Sequence, residues 1–325
     1  MRGFFARAFQ AGWGKKSMRG FRTDLAMECI DEGGGRVEGV RVSTHHMGGI
    51  THTRIRIEKE RAAELLGRHT GEYITLEYRD LPRCDAHTQK LLAALVAQGV
   101  RSLLPREGEV LVVGLGNRNV TADALGTRVV ERMLVTRHLR QAIARELRGR
   151  LRGVSAIAPG VLGLTGIETA ELCRGLVRHV RPSAVIAIDA LAAFESERIC
   201  TTVQITDTGI EPGSGVGNHR LGLTEETLGV KVIAVGVPMV VYASTIARDA
   251  MARLIDEYGL LAHGHEEAAQ QLLRQVSEGF LGDMVVTPRE IDELVLHVAA
   301  LLSDGINQAL QPDIDPDTLH TYIQG

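Results

Sequence analysis

Long apolar runs are missing from this 325-residue chain. No stretch of about 18 consecutive apolar residues occurs, which excludes a membrane-spanning helix. The first residues also lack the unbroken apolar core of a secretory signal, so a cytoplasmic protein with no membrane partner is expected. The four cysteines, Cys29, Cys84, Cys173 and Cys200, stand far apart without a Cys-x-x-Cys pair. That spacing supports neither a disulfide framework nor a zinc site, and buried reduced thiols are expected instead. Basic charge is in no surplus: 37 Lys and Arg meet 40 Asp and Glu, for a formal net charge of -3. A chain so balanced has no overall field to hold a phosphate backbone, and direct nucleic-acid binding is not expected. Neither Gly-x-Ser-x-Gly nor His-Glu-x-x-His is present, which lowers the serine-hydrolase and zincin readings.

What is present suits a globular protein of one or two domains, with 44% hydrophobic and 24% charged residues. Residues 1–20 carry Arg2, Arg7, Lys15, Lys16 and Arg19 with no acid, and Phe5, Phe9 and Trp13 recur at helical spacing. From Arg36 to Tyr78 apolar and polar residues alternate, as in Arg54-Ile55-Arg56-Ile57, which predicts half-exposed antiparallel strands turning at Gly48-Gly49. A helix is expected near Thr88 to Val100. Short, wholly apolar runs follow at 110–113, 184–188 and 232–237, the pattern of strands buried on both faces of a parallel sheet. Thr201 to Ile205 reads as an added edge strand. Cys173, Leu176, Val177 and Val180 form the apolar stripe of a helix over 167–180, and Thr287-Pro288-Arg289-Glu290 reads as a capping box ahead of a helix containing Ile291, Leu294, Val295, Val298 and Leu302. The fold class is α/β, an open, mostly parallel sheet flanked by helices, with an N-terminal antiparallel β region.

In such sheets reacting groups gather beyond the carboxyl ends of the strands. Asp123 lies in a turn after the first apolar run, and Asp189 closes the second. Buried charged acids there need compensation. Either Asp123 caps a helix starting near Ala124 and Asp189 takes amides of its own loop, or the two meet as a pair in which one acid stays protonated while the other activates water. Asn117 and the amides of Gly114 to Gly116 are candidates to steady a scissile carbonyl. Glu168 is a first-turn helix carboxylate or a supporting site residue. Gly114-Leu115-Gly116 lacks the third glycine of a dinucleotide fingerprint, and the glycine-rich run 213–218 lacks a phosphate-loop lysine. His45, His46 and His52, like His263 and His265, lack carboxylates at ligand spacing, so no metal or cofactor is expected.

The runs Val112 to Asn117 and Val120 to Gly126 resemble the germination protease family of endospore-forming bacteria, and more stretches match in order. They are VSAIAPGVLGLTGIETAEL (Val154 to Leu172), VIAIDALAA (Val185 to Ala193), TDTGIEPGSGVGN (Thr206 to Asn218), ETLGV, IAVGVP and VTPREID. The resemblance spans about Arg22 to Leu310. It implies a self-processed endopeptidase acting on small acid-soluble spore proteins during germination, in the spore core, assembled as a homotetramer. Its functional aspartates fall on Asp123 and Asp189, beside which Gly116, Asn117 and Glu168 remain supporting candidates by their position in the chain alone. Trimming between Asp24 and Leu25 is expected, which makes 1–24 a propeptide and 25–325 one peptidase domain, β-rich over 25–80 and α/β over 105–310. A shorter similarity to hydrogenase maturation peptidases suggests an alternative in which the same acids hold a metal. Phe194, Lys231 and Tyr242 depart from the family's usual Arg, Pro and Asp, which leaves a third reading, a non-catalytic binder of spore proteins.

Overall fold

The computed structural model describes residues 23–33, 37–141, 151–211, 221–247, 249–250 and 284–315. The aromatic stripe of Phe5, Phe9 and Trp13, the run 213–218 and the pair His263 and His265 lie outside them. The strands are β1 (Val40–Met47), β2 (Ile50–Ile57), β3 (Gly71–Glu77), β4 (Val110–Gly114), β5 (Val154–Ile157), β6 (Ala184–Ala193), β7 (Thr202–Thr206), β8 (Lys231–Tyr242) and β9 (Val285–Val286). The helices are α1 (Ala26–Gly33), α2 (Glu60–Leu66), α3 (Ala86–Leu103), α4 (Leu125–Val130), α5 (Leu162–Thr165), α6 (Thr169–Val180), α7 (Glu225–Leu228) and α8 (Ile291–Leu310).

All nine strands join one sheet in the order β1-β2-β3-β7-β8-β6-β4-β5, with β9 added to β8. The set β8-β6-β4-β5 is parallel, and β1-β2-β3-β7 is antiparallel. β7 pairs antiparallel with β8 and so welds the two halves together. This corrects the edge-strand expectation for Thr201 to Ile205: all five residues of β7 are buried, in the interior of the sheet.

The parallel runs are apolar throughout because both faces are covered. On one face, Val110, Val112, Ile186 and Ile188 pack into the main core with Leu92, Val96 and Val100 of α3 and Leu294, Val298 and Leu302 of α8. On the other, Leu111, Val113, Val185 and Ala187 meet Ala170 and Cys173 of α6 and Leu228 of α7. The β1-β2 hairpin turns at Gly48 (φ +58°) and Gly49 (φ +80°), two consecutive left-handed residues of the kind that match the twist of paired strands. Asp85 caps α3 by accepting from the Thr88 amide at 2.7 Å.

The capping box at Thr287 does not form. α8 begins three residues later than that pattern implies, at Ile291, because the Thr287 hydroxyl donates to the Met239 carbonyl at 2.8 Å and ties the chain to β8 instead. Cys173 and Cys200 are buried, and burial pushes their thiols up to about 11 and about 12, whereas Cys29 and Cys84 are half-buried. His45 stands opposite His52 across β1 and β2, their rings 6.5 Å apart. Among the described residues no helix is long and apolar enough to cross a membrane.

Candidate active site

Asp189 sits inside β6 rather than at its end, since the strand continues to Ala193. It nevertheless lies at a strand terminus on one side: β4 stops pairing at Ile188, so Asp189 is the first residue of β6 beyond β4, while β8 still pairs with it through Gly236. Its side chain is 6% exposed, and Oδ1 accepts from the Ala190 amide at 2.9 Å.

The loop after β4 carries Asp123 to the same place through close backbone packing. The Leu115 amide donates to the Ile188 carbonyl at 2.8 Å. Gly126, opening α4, has no room for a side chain: a Cβ there would collide with the Ile188 carbonyl and lie 2.5 Å from the Leu115 backbone. Gly116 turns with φ +97°, and a Cβ would strike the Asp123 carbonyl. Asp123 does not cap α4, whose first turn has no side-chain cap; its Oδ2 accepts from the Asn117 amide at 2.8 Å.

Asp123, Asp189 and Asp24 line one cavity of about 390 Å³, together with Gly116. Two expected supporting residues are placed differently. The Asn117 amide is taken by Asp123 and its side-chain oxygen accepts from the Asn119 amide at 3.0 Å, so Asn117 shapes the turn and does not line the cavity. Glu168 precedes α6 without making a side-chain cap, and its neighbour Thr169 is the residue that reaches the cavity.

The segment carrying Asp24 and Leu25 is seated against β6 and β7. The Asp24 amide donates to the Ala192 carbonyl at 3.1 Å, and the Ala192 amide donates to the Asp24 carboxylate at 2.9 Å. Gln204 of β7 donates from Nε2 to the Asp24 carbonyl at 2.9 Å and accepts from the Ala26 amide through Oε1 at 2.7 Å. Arg68 donates from Nη2 to the carbonyls of Thr23 at 2.8 Å and Leu25 at 3.1 Å. Leu25 is fully buried against Leu191, Ala193 and Val241. Neither Gln204 nor Arg68 carries a motif in the sequence. The one available signal was a polar glutamine inside the β run Thr201 to Ile205, which needs a hydrogen-bond partner if buried.

Glu28 closes the seat. It accepts from the Phe194 amide at 3.0 Å and the Glu195 amide at 2.9 Å, and Thr23 donates its hydroxyl to it. Arg198, 3.4 Å from Glu28, is shared with Glu77 and Glu195, so one cation serves three acids. Burial therefore prevails over these partners and raises the Glu28 carboxyl above its ordinary value. A carboxyl raised on folding binds more protons in the native chain than in the unfolded one. Its contribution is complete below the unfolded value and is lost as pH rises through the folded value. Urea unfolding of wild type and Glu28→Gln should show the wild-type advantage shrinking as pH rises above the ordinary carboxylate range; an advantage that grows with pH there would contradict this.

Two of the departures, Phe194 and Tyr242, fall at the end of β6 and β8 that carries this seat, and Lys231 lies at the opposite end of β8. Phe194 contributes its amide to Glu28, and the positive charge at this end of β6 comes from Arg198. Tyr242 is buried at the end of β8 opposite Val285, and Lys231 stands 3.9 Å from Asp207 at the strand's start.

Comparison with known proteins gives a consistent result. A family model described as germination protease matches residues 23–266. A germination protease of Caldanaerobacter subterraneus subsp. tengcongensis is 45% identical over 94% of this chain and 98% of that protein. One of Clostridium tetani is 37% identical over 93% and 99%, and one of Bacillus cereus 37% identical over 93% and 96%. Among solved structures, the NiFe hydrogenase maturation protease HycI of Thermococcus kodakarensis KOD1 aligns over 64% of this chain and 97% of that one, at 15% identity and a TM-score of 0.31, a likeness too slight to bear on activity. The extent and identity of the sequence matches show that this chain belongs to the germination protease family and is a peptidase.

Proposed function

We propose that the chain is an endopeptidase, made as a self-processed zymogen, that degrades small acid-soluble spore proteins by water attack at the Asp123 and Asp189 pair. The observation that carries this reading is the shared cavity: Asp123 and Asp189 line it together with Asp24, the residue on the acyl side of the bond proposed to be cut in processing. One carboxylate takes a proton from water as its oxygen adds to the scissile carbonyl. The other gives a proton to the departing amine as the C–N bond breaks. Residues 1–24 then leave as a propeptide, and the processed chain works on spore proteins as a homotetramer, an assembly that light scattering of the purified chain measures.

The test is incubation of a purified small acid-soluble spore protein with the trimmed chain, with and without a chelator. Fragments are expected in both. No fragments in either would favour the non-catalytic reading, and loss on chelation with recovery on adding a divalent metal would favour the metal-dependent one. Changing Asp24 and Leu25 to Gly should stop trimming; a fragment of unchanged mass would sink the Asp24–Leu25 assignment.

A further inference from the structure

The hydrogen bonds of the Gln204 side chain fall on the two sides of the Asp24–Leu25 bond, at the Asp24 carbonyl and at the Ala26 amide. Its Oε1 accepts from the Ala26 amide, which can only donate, so the orientation of the side-chain amide is settled and Nε2 must be the atom that faces the Asp24 carbonyl. Gln204 is 6% exposed and stands on a buried strand, so it is held from behind as well as in front. Its position relative to the acid pair is set by register. Gln204 pairs with Gly236 of β8, and Gly236 pairs with Asp189 of β6. Laterally paired residues rise from the same face, so Gln204 and Asp189 flank a glycine across two strand spacings, roughly 10 Å. Gly236 carries no side chain of its own, and the space over it is taken by the side chain of Leu191, the residue that walls the Leu25 seat, which a Cβ at Gly236 would approach to 2.6 Å.

Resting on the proposed cut between Asp24 and Leu25, we infer that Gln204 Nε2 is the donor that binds the scissile carbonyl oxygen and stabilises the negative charge it gains when water adds. The bond of 2.9 Å to the ground-state carbonyl already places a fixed donor beside the oxygen on which the charge would develop. Arg68 holds the carbonyls on either side, those of Thr23 and Leu25, which aligns the peptide without touching the reacting one. This role falls to Gln204 and not to Asn117, whose backbone amide donates to Asp123 and which does not line the cavity.

The test uses Gln204→Glu and Gln204→Leu in the trimmed enzyme, with a peptide spanning a cut in a spore protein and a version of it carrying a thioamide at the scissile position. Gln204→Glu keeps the shape and an acceptor for Ala26 but removes the donor. It is expected to lower kcat by about 10²- to 10³-fold, the usual loss for one such donor, with KM within about threefold. Sulfur accepts hydrogen bonds poorly, so the thioamide should slow wild type sharply and add little to the loss in either variant. A purely structural role for Gln204 would leave that thio-effect intact. Unchanged kcat in Gln204→Glu, or a full thio-effect in both variants, would overturn the inference. Asp189→Asn, assayed alongside, separates the two readings. If it is inactive while the Gln204 variants are unimpaired, the carbonyl donor lies elsewhere and the acid pair stands; if it is fully active while Gln204→Glu is impaired, the pair fails and the donor stands.

Discussion

Asp189→Asn and Asp123→Asn are each expected to lower spore-protein cleavage by at least about 10²- to 10⁴-fold, the range associated with a positioned proton-transfer group. The substitution keeps size and keeps an oxygen. In Asp189 that oxygen goes on accepting from the Ala190 amide, and in Asp123 from the Asn117 amide, so both loops retain their anchors. What is lost is the ability to take or release a proton. Because groups that serve one reaction as a unit are not additive, the double variant should be scarcely slower than either single one. Fragment yield over time for the three variants is the measurement. Undiminished cleavage by both single variants would end the acid-pair reading, and near-additive losses in the double would mean that the two acids act independently of each other.

Gly126→Ala has the second largest expected effect, and it acts through the backbone. The added methyl has to displace the Ile188 carbonyl or the Leu115 backbone, and these two are hydrogen-bonded to each other at 2.8 Å. Losing that bond costs roughly 1 kcal/mol and overpacking roughly another 1–3 kcal/mol, so a destabilisation of about 2–4 kcal/mol is expected. The same displacement moves Asp123 relative to Asp189, and a misplacement of about 1 Å at a reacting centre is enough for roughly a hundredfold loss of rate. Gly175→Ala in α6 is the control, because nothing lies within 4 Å of the new methyl. There alanine should stabilise by up to about 1 kcal/mol, since glycine is the poorer helix former. Thermal midpoints and cleavage rates of the two variants check both statements. Equal behaviour of Gly126→Ala and Gly175→Ala would show that the tight approach at Ile188 is not what holds the site together.

Much of this architecture was legible in the residues themselves. Val110 to Val113 and Ala184 to Ile188 announce strands covered on both faces, the helix stripe at Leu294 to Leu302 is buried as its spacing implies, and that at Cys173 is buried at Cys173 with Leu176 and Val177 half-buried beside it. Gly48-Gly49 marks its hairpin for a local reason, two consecutive left-handed residues. Where a local pattern fails, a distant partner is the cause. Thr287 satisfies a capping pattern, but a strand carbonyl from Met239 competes for its hydroxyl and wins. Asn117 and Glu168 stand beside the cavity along the chain without lining it, Asn117 holding the Asp123 turn through its amide and Oδ1 and Glu168 one residue before Thr169.

The sequence by itself determined the strands, the helices and the two acids beyond β4 and within β6, because burial periodicity and strand-end position are properties of neighbouring residues. Only the tertiary structure decided that β7 lies inside the sheet between β3 and β8, so that Gln204 faces the cavity of Asp189 across Gly236 and meets the carbonyl of Asp24. Register between strands far apart in the chain is chosen by how whole faces pack, and no local pattern of residues carries that information.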